Sequence, residues 1–335
     1  MKGVLNRKHV IIYILFIRVY NMEKAVIIGG GSWGLALALA VSRKIGKSFI
    51  LTSSEKRSQE INNNNYSLAN IFAGTFSETI LKDASLIIIA TEVRRVFSFS
   101  DAINKYSPQN SKVLIASKGF YKKGEVLPIA FKSKINNRLV GVLSGPSFAE
   151  EVIKDKPTAL VVAGQKDLTS LTVKFLHTKN FRIYGSNDVV GTSVSGAMKN
   201  VIAIASGIVF GLELGENARA AMLTRGLAET VKLVKALGGK VETVFGLAGA
   251  GDMALSALSP TSRNFSWGYS LAKNEIPKNN LVEGIDASKS AVLNAKKYNI
   301  EMPITQLVEK ACSTRIDLSI EIEKLLQRPP KFEWK

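Results

Sequence analysis

Short, nearly continuous apolar runs alternate with longer segments of helical periodicity over the first half of the chain. The runs lie at residues 25–28, 48–51, 86–90, 113–116, 139–143 and 159–162. Runs of this length, rich in β-branched residues, are typical of parallel strands that are covered on both faces. Their alternation with helical segments predicts an α/β fold with a doubly wound, mostly parallel sheet.

From about Gly191 the pattern changes to long helical stretches without a convincing strand. The segment GTSVSGAMKNVIAIASGIVFG is apolar on almost every side, which predicts a buried helix. At roughly 100–200 residues per domain, this chain suits two domains. We expect a sheet domain over residues 22–190 and an all-α domain over residues 191–335.

Residues 1–21 precede the first predicted strand and contain an apolar core of only eight residues, at 10–17. A membrane-spanning helix needs about 20 apolar residues, so we expect no stable membrane insertion. The segment has the basic flank of a signal peptide but no small-residue cleavage site before Met22. We interpret Met22 as the biological start and residues 1–21 as an extension of doubtful origin. A short interfacial anchor is the alternative.

The composition limits the kinds of metal site and catalytic group that the chain can contain. The single cysteine, Cys312, excludes an intramolecular disulfide and a cysteine-built zinc site, and cysteine poverty suits a reducing cytoplasm. Two histidines, His9 and His177, exclude a multi-histidine metal site and leave little room for a Ser-His-Asp hydrolase. We therefore expect no metal, and acid–base chemistry from lysine or carboxylates.

The chain is strongly basic, with 45 Lys and Arg against 27 Asp and Glu and a formal charge of +18. Such a charge indicates either an anionic partner or basic residues spread over solvated faces. No basic run reaches the length of a nucleic-acid patch. We favour the spread charge and expect no nucleic-acid partner.

A glycine-rich turn follows the first predicted strand. It reads Gly29-Gly30-Gly31-Ser32-Trp33-Gly34 and leads into the helix-forming segment LALALAVSRK. Gly29, Gly31 and Gly34 occupy the GxGxxG positions, which serve a tight turn, backbone approach to a pyrophosphate and close helix–strand packing. Strand, glycines and helix in this order predict a Rossmann-type domain that binds NAD or NADP.

The end of the second predicted strand bears on the choice between NAD and NADP. An acidic residue there binds the ribose 2′-hydroxyl of NAD, whereas a nearby arginine accommodates the 2′-phosphate of NADP. Ser53 and Ser54 occupy the tip, and Glu55, Lys56 and Arg57 follow. These signals conflict, and we lean towards tolerance of NADP without excluding NAD.

Two further strand ends carry polar residues. Lys118 follows the fourth run in ASKGF, and Gly145 and Ser147 follow the fifth run in LSGPSFA. Each segment alone could be an ordinary turn. Because ligands bind outside the carboxyl ends of strands in such sheets, together they predict a substrate mouth.

The second half holds three chemical anomalies. Lys199 lies within the apolar helix and must be paired or open into a cavity, because burial of a bare ammonium is prohibitive; the alternative is a side chain that reaches the surface. Asp252 follows the glycine-rich run FGLAGAG. Ser262, Arg263 and Asn264 offer donors that suit a phosphate, or else form a helix-capping loop.

Together these motifs resemble the bacterial NAD(P)-dependent glycerol-3-phosphate dehydrogenases. The resemblance covers nearly everything after Met22 and is carried, in order, by GGGSWG, SKGF, LSGPSFAEEV, SGAMKNVIAIASG, GENARAAMLTRGLAE, GLAGAGDM, SRN and VEG. It implies reduction of dihydroxyacetone phosphate by NAD(P)H to sn-glycerol 3-phosphate, a glycerophospholipid precursor. It also implies a cytoplasmic homodimer.

The resemblance implies a role for each motif residue. Lys199 matches the family's proton acceptor, and Lys118 and Asp252 complete the expected catalytic group. The matching substrate contacts are Lys118, Gly145, Ser147, Lys199, Asp252, Ser262, Arg263 and Asn264. The expected cofactor contacts are Gly29, Gly31, Ser32, Trp33, Gly34, Ser53, Lys118, Ala149, Arg263, Glu283 and, by position only, Leu281.

The chain departs from the family pattern at two places. Family members often carry an aromatic residue and a histidine or arginine at the end of the second strand, where this chain has Leu51-Thr52-Ser53. Ser195 stands where many relatives have glycine, a small change that should fit.

Hydride addition to a ketone carbon places charge on the carbonyl oxygen, which a cationic proton donor stabilises. We expect Lys199 to be that donor, Asp252 to hold it, and Lys118 to strengthen the field. Two alternatives remain. A ketopantoate or hydroxyacyl-CoA dehydrogenase would share the glycine turn but not the later motifs. A nucleotide-sensing or nucleic-acid-binding protein would suit the charge but not Lys199 in a buried helix.

Overall fold

The computed structural model describes residues 23–64, 69–276 and 281–329, so the predictions for residues 1–21 lie outside the described residues. The strands are β1 (Lys24–Ile28), β2 (Ser48–Thr52), β3 (Ile71–Thr75), β4 (Ala84–Ile89), β5 (Lys112–Ile115), β6 (Val140–Ser144), β7 (Thr158–Ala163) and β8 (Phe181–Ser186). The helices are α1 (Ser32–Ile45), α2 (Glu55–Asn63), α3 (Glu78–Leu81), α4 (Val93–Val96), α5 (Ser100–Tyr106), α6 (Leu127–Lys132), α7 (Ala149–Ile153), α8 (Lys166–Leu176), α9 (Val189–Gly211), α10 (Glu216–Ala236), α11 (Val241–Phe245), α12 (Asp252–Leu258), α13 (Arg263–Ala272), α14 (Glu283–Lys297), α15 (Pro303–Ser313) and α16 (Leu318–Leu326).

One eight-stranded sheet forms the first half, in the order β3-β2-β1-β4-β5-β6-β7-β8. The first six strands are parallel, and β7 and β8 run in the opposite direction because β7 pairs antiparallel with β6. The prediction of a mostly parallel α/β sheet is therefore confirmed. The carboxyl ends of β1, β2, β4, β5 and β6 meet at one edge, where the predicted ligand residues lie.

Two strands escaped the sequence analysis, β3 and β8, and both are edge strands. In β8 buried and exposed residues alternate at its start, and in β3 only the first residue is buried. Neither gives the continuous apolar run of an interior strand. Asn62 caps the open edge of β3, since its side-chain amide donates to the Ala73 carbonyl and accepts from the Ala73 N–H, both at 2.9 Å.

The helical half is built around α9. Only four of its 23 residues are not buried, and α10, α12, α13, α14 and α15 pack around it. The helix is long and apolar enough to cross a membrane, yet 89% of an apolar 18-residue stretch within it is buried inside the protein. Among the described residues no strand follows β8, which confirms the predicted helical second half.

Asp188 joins the start of α9 to the loop before α11. Its Oδ1 accepts from the Gly191 N–H at 2.8 Å, and its Oδ2 accepts from the Lys240 N–H at 2.9 Å and the Thr243 hydroxyl at 2.6 Å. The carboxylate is buried. It therefore caps a core helix and accepts hydrogen bonds from two further, partly buried donors.

We expect Asp188→Ala to lower the free energy of unfolding by about 2–4 kcal/mol, because a buried helix cap and two further, partly buried donors lose their acceptor together. The measurement is the urea midpoint at unchanged slope. Asp317→Ala is the matched control, since Asp317 is exposed and caps only α16. It should cost about 1 kcal/mol. Equal losses in the two variants would contradict the bridging role of Asp188.

Candidate active site

The glycine turn after β1 contains two glycines at which a side chain would clash with the backbone and one glycine that faces open space. A Cβ on Gly29, whose φ is 127°, would lie 2.3 Å from the Ala90 carbonyl oxygen, and a Cβ on Gly34 would lie 1.8 Å from the Gly29 oxygen. A Cβ on Gly31 would meet nothing within 4 Å. Gly29 and Gly34 are thus required by the protein's own packing, whereas Gly31 borders the space that a ligand could fill.

Helix α1 begins at this turn with its amide groups available. Gly31 occupies the N-cap without a capping side chain, and the first turn carries no acidic residue. The Leu35 N–H bonds the Gly31 carbonyl at 3.0 Å, so the amides before it have no acceptor four residues earlier within the helix. Ser32 is exposed and Trp33 half-buried at this end. The turn therefore fits a dinucleotide pyrophosphate.

A groove of about 440 Å³ lies at the same edge of the sheet. Its lining residues are Thr52, Ser53, Thr75, Phe76, Arg95, Ser98, Phe99 and Ala102. Ser53, a predicted cofactor contact, is one of them. Arg95 was missed by the sequence analysis, because it follows β4 and only the tertiary fold brings it to the end of β2.

Lys118, Lys199 and Asp252 form one cluster, although they are far apart in sequence. The Lys118 ammonium forms an ion pair with Asp252 Oδ2, and Lys199 Nζ lies 3.6 Å from Asp252 Oδ1. The Asp252 side chain is 1% exposed, against 14% for Lys118 and 15% for Lys199. Lys199 is therefore paired, as its position in a buried helix requires, and is not a surface lysine.

The cluster extends to two neutral groups. Lys118 Nζ donates to the Gly145 carbonyl at 3.1 Å, which the Ser147 hydroxyl also approaches at 3.1 Å. Lys199 Nζ donates to the Ser256 hydroxyl at 2.9 Å. Ser256 was missed by the sequence analysis, although it lies four residues after Asp252 and hence on the same helix face.

Small residues let the cluster form. A Cβ on Gly196 would lie 2.6 Å from the Ser144 hydroxyl and 3.7 Å from Lys118 Cγ, so this glycine allows α9 to pass close to the sheet edge. Ser195 beside it is fully buried, and its hydroxyl has no hydrogen-bond partner within the described part of the chain. The expected exchange of glycine for serine therefore fits sterically.

A π-helical turn, Leu247–Gly251, places Asp252 at the start of α12. A Cβ on Gly249 would lie 2.0 Å from the Val244 carbonyl oxygen, so the glycine-rich run is needed for this tight path. The turn brings the Asp252 carboxylate into contact with Lys118 and Lys199. The glycines of this run are therefore needed to position a single carboxylate.

The cluster holds two ammonium groups and one carboxylate. Burial lowers the pKa of Lys118, and this effect exceeds the opposing influence of Asp252; the charge of Lys199 lowers the pKa of Lys118 further. A buried site with surplus positive charge stabilises an anionic ligand or an oxyanion that develops during reaction.

Ser262, Arg263 and Asn264 lie at the start of α13. The Ser262 hydroxyl caps the helix by accepting from the Phe265 N–H at 3.4 Å, so the capping interpretation is correct for this residue. Arg263 is half-exposed, and its Nη2 lies 3.3 Å from Glu283 Oε1. These two predicted cofactor contacts are thus neighbours.

Asn264 is buried and supports the framework of the site. Its Nδ2 donates to Asn200 Oδ1 at 2.9 Å, and its Oδ1 accepts from the Gly284 N–H at 3.0 Å. These bonds tie α13 to α9 and α14. One hydrogen of the Asn264 amide remains for another acceptor.

The other predicted cofactor residues are less tightly grouped. Trp33 and Ala149 pack against the same apolar cluster below the sheet edge. Leu281 is half-buried two residues before α14, and its assignment still rests on position. Within residues 23–64, 69–276 and 281–329 no three His, Cys, Asp or Glu side chains gather as a metal site.

Comparison with known proteins decides the family. The model described as NAD-dependent glycerol-3-phosphate dehydrogenase N-terminus matches residues 24–169, and the model for the C-terminus of the same family matches residues 188–323. The chain belongs to this family. It is therefore an NAD(P)-dependent oxidoreductase, and the predicted resemblance is confirmed.

Individual proteins of this dehydrogenase family are also similar to the chain. The glycerol-3-phosphate dehydrogenase [NAD(P)+] of Neisseria meningitidis serogroup A is 35% identical over 328 residues, which span 92% of this chain and 100% of the relative. The crystal structure of the Coxiella burnetii glycerol-3-phosphate dehydrogenase is 30% identical with a TM-score of 0.85, over 91% of this chain and 99% of that one.

The alternative of a ketopantoate reductase is supported only as far as the fold. Such an enzyme from Ralstonia eutropha aligns over 90% of this chain and 99% of its own, with a TM-score of 0.61 but only 15% identity. At this identity the likeness shows a shared fold and nothing about the reaction.

We expect Gly31→Ala to weaken binding of NADH and NADPH about tenfold or more, because the new methyl group enters the space that a pyrophosphate needs. Its stability should change little, since Gly31 has a φ of −74° that alanine adopts readily. Gly34→Ala is the matched control and should instead unfold or strongly destabilise the protein, given the overlap with Gly29. Fluorescence titration and urea denaturation measure the two properties. Normal NADH binding by Gly31→Ala would place the cofactor elsewhere.

Proposed function

We propose that this protein is a glycerol-3-phosphate dehydrogenase that reduces dihydroxyacetone phosphate to sn-glycerol 3-phosphate with NADH or NADPH. The cluster of Lys118, Asp252 and Lys199 carries the proposal, because it places a buried, hydrogen-bonded ammonium at the carboxyl edge of a dinucleotide-binding sheet. Membership of the dehydrogenase family supports the same reaction.

Lys199 is the proposed proton donor. When bound, the reduced nicotinamide supplies the hydride for the ketone carbon. Negative charge then develops on the carbonyl oxygen, and the Lys199 ammonium gives it a proton, a contribution of about 10²–10⁴-fold in rate. Ser256 and Asp252 hold Nζ in place through the contacts at 2.9 and 3.6 Å. In the reverse direction Lys199 accepts the proton of the alcohol.

Asp252 and Lys118 prepare the site for this step. Asp252 stabilises two neighbouring ammonium groups within a mostly buried space, where the desolvation free energy of an unpaired ammonium would be high. Lys118 adds positive field at the developing oxyanion and joins the cluster to the Gly145 carbonyl. The geometry is thus set before the substrate arrives, which favours the transition state.

Arg263 is the proposed main ligand of the substrate phosphate. Its guanidinium is half-exposed at the start of α13, and among the described residues Glu283, at 3.3 Å, is the one acidic side chain that pairs with it. A guanidinium can bind phosphate through two parallel hydrogen bonds. Ser262 fixes the helix start, and the remaining Asn264 hydrogen adds a donor. Binding of the remote phosphate orients the ketone.

We also propose the wider setting of the enzyme. It acts as a cytoplasmic homodimer that supplies glycerophospholipid synthesis, with NAD or NADP as cofactor. The sheet domain of residues 22–190 provides the cofactor site and the helical domain of residues 191–335 provides Lys199 and Arg263. The end of β8 at Ser186 and the start of α9 at Val189 support a division close to this point.

The purified protein should oxidise NADH or NADPH in the presence of dihydroxyacetone phosphate, and not with ketopantoate. Lys199→Ala should lower kcat by about 10²–10⁴-fold, because the proton donor is lost, while binding of the reduced cofactor persists. Lys296→Ala, at an exposed position of α14, is the control and should retain full activity. Near-normal turnover by Lys199→Ala would refute its assignment.

Arg263→Ala should raise the KM for dihydroxyacetone phosphate by about 10- to 100-fold, since a charged hydrogen-bonding partner of the phosphate is removed. Unphosphorylated dihydroxyacetone is the control substrate, and its low kcat/KM should change far less. Steady-state rates with both substrates measure this difference. Equal losses for the two substrates would show that Arg263 does not recognise the phosphate.

A further inference from the structure

The groove beside Ser53 contains a guanidinium without an acidic partner. Arg95 lines it together with Ser53, and in the part of the chain that the structure describes no carboxylate forms an ion pair with Arg95. The neighbouring Arg94, by contrast, forms an ion pair with Glu92. The groove therefore has an unneutralised positive charge at one side.

The other groove residues suit a nucleoside. Phe76 and Phe99 provide aromatic surface, and Ser53 and Thr75 provide hydroxyl groups. The hydroxyls of Thr52 and Ser98 already donate hydrogen bonds to the carbonyls of Ser54 and Arg95. None of the eight lining residues is acidic. Flat apolar surface, hydroxyls and a single guanidinium form a site for a base and a ribose that carries a phosphate.

The position of the groove identifies which part of the dinucleotide it faces. Ser53 follows β2, which pairs with β1, and β1 leads into the glycine turn. This strand tip is where a carboxylate recognises the ribose 2′-hydroxyl in NAD-binding domains. A serine there lacks both the attraction for a free diol and the repulsion of a phosphate.

We infer that Arg95, with Ser53, binds the 2′-phosphate of NADP and makes this enzyme discriminate in favour of NADPH over NADH. The inference rests on the proposed dehydrogenase function for its biological meaning, but the binding preference can be measured without turnover. It assigns the choice of cofactor to a residue outside the glycine turn and outside the end of β2.

Arg57 is the competing cation, and its contacts already engage it. Its Nε donates to the Gly30 carbonyl at 2.8 Å, and its Nη1 lies 3.0 Å from Glu60 Oε2. Arg57 thus supports the glycine turn from below and is partly neutralised. Arg95 has neither restraint, so it is the guanidinium available to a dianionic phosphate.

The test compares two adenosine fragments by calorimetry. Wild-type protein should bind adenosine 2′,5′-bisphosphate about 10- to 100-fold more tightly than adenosine 5′-monophosphate, as a charge-assisted contact provides. Arg95→Gln should abolish this ratio and leave the monophosphate affinity unchanged. Arg94→Gln is the matched control, because Arg94 is adjacent, exposed and paired with Glu92, and it should keep the wild-type ratio.

A second variant tests the same site by adding a negative charge. Ser53→Asp should weaken adenosine 2′,5′-bisphosphate at least tenfold and should shift kcat/KM towards NADH, because a carboxylate repels the phosphate and binds the free diol. A wild-type ratio near one, an unchanged ratio in Arg95→Gln, or loss of the ratio in Arg57→Gln alone would overturn the inference.

Failure of the inference and failure of the proposed function are distinct results. If Arg95→Gln still reduces dihydroxyacetone phosphate with NADH and still prefers the bisphosphate, the function stands and the role of Arg95 is wrong. If wild-type protein shows no reduction with either nucleotide while the fragment ratio depends on Arg95, the cofactor site is right and the substrate is wrong.

Discussion

One buried carboxylate shared by two ammonium groups is the interaction on which the active site depends. Removal of a charge from water costs several kcal/mol, and only close opposite charge and hydrogen bonds compensate it. Asp252 meets this condition for Lys118 and Lys199 together, and Gly145 and Ser256 accept further hydrogen bonds. Because two cations face one anion, the cluster retains positive charge. In the proposed mechanism an incoming phosphate or a developing oxyanion supplies the missing negative charge, so the pairing that stabilises the cluster also prepares it for catalysis.

This charge arrangement constrains the backbone around it. Lys118 comes from a strand end of the sheet, Lys199 from the core helix of the second half, and Asp252 from the start of α12. Their side chains meet only if the three segments approach closely, which explains the lack of a Cβ at Gly196, whereas Gly249 allows the tight turn against Val244 that precedes Asp252. Glycine therefore serves different needs in this protein: positive φ at Gly29, close packing at these two positions, and open ligand space at Gly31.

The interior strands, the glycine turn and the lysine of the apolar helix were predictable because each leaves a local signal in the sequence. The edge strands β3 and β8 were missed, since their half-exposed patterns resemble those of loops. Family resemblance suggested the roles of Lys118 and Asp252, whereas their mutual contact depends on packing between distant segments. Arg95 had no local signal at all, because nothing in the segment after β4 reveals that β2 ends beside it.

The high net charge of +18 is consistent with this distribution of cations. A basic run along the sequence binds the repeating phosphates of a polymer, but a dinucleotide and a small phosphorylated ketone present single phosphates at separate points. The proposed assignments give each phosphate a separate group: the amides at the start of α1, Arg95 in the groove and Arg263 at the start of α13. These groups come from three distant segments, so specificity for small phosphates needs no cluster of basic residues in the sequence. Most of the remaining positive charge can then lie on solvated faces, where it affects solubility and the rate of encounter with anions more than the chemistry.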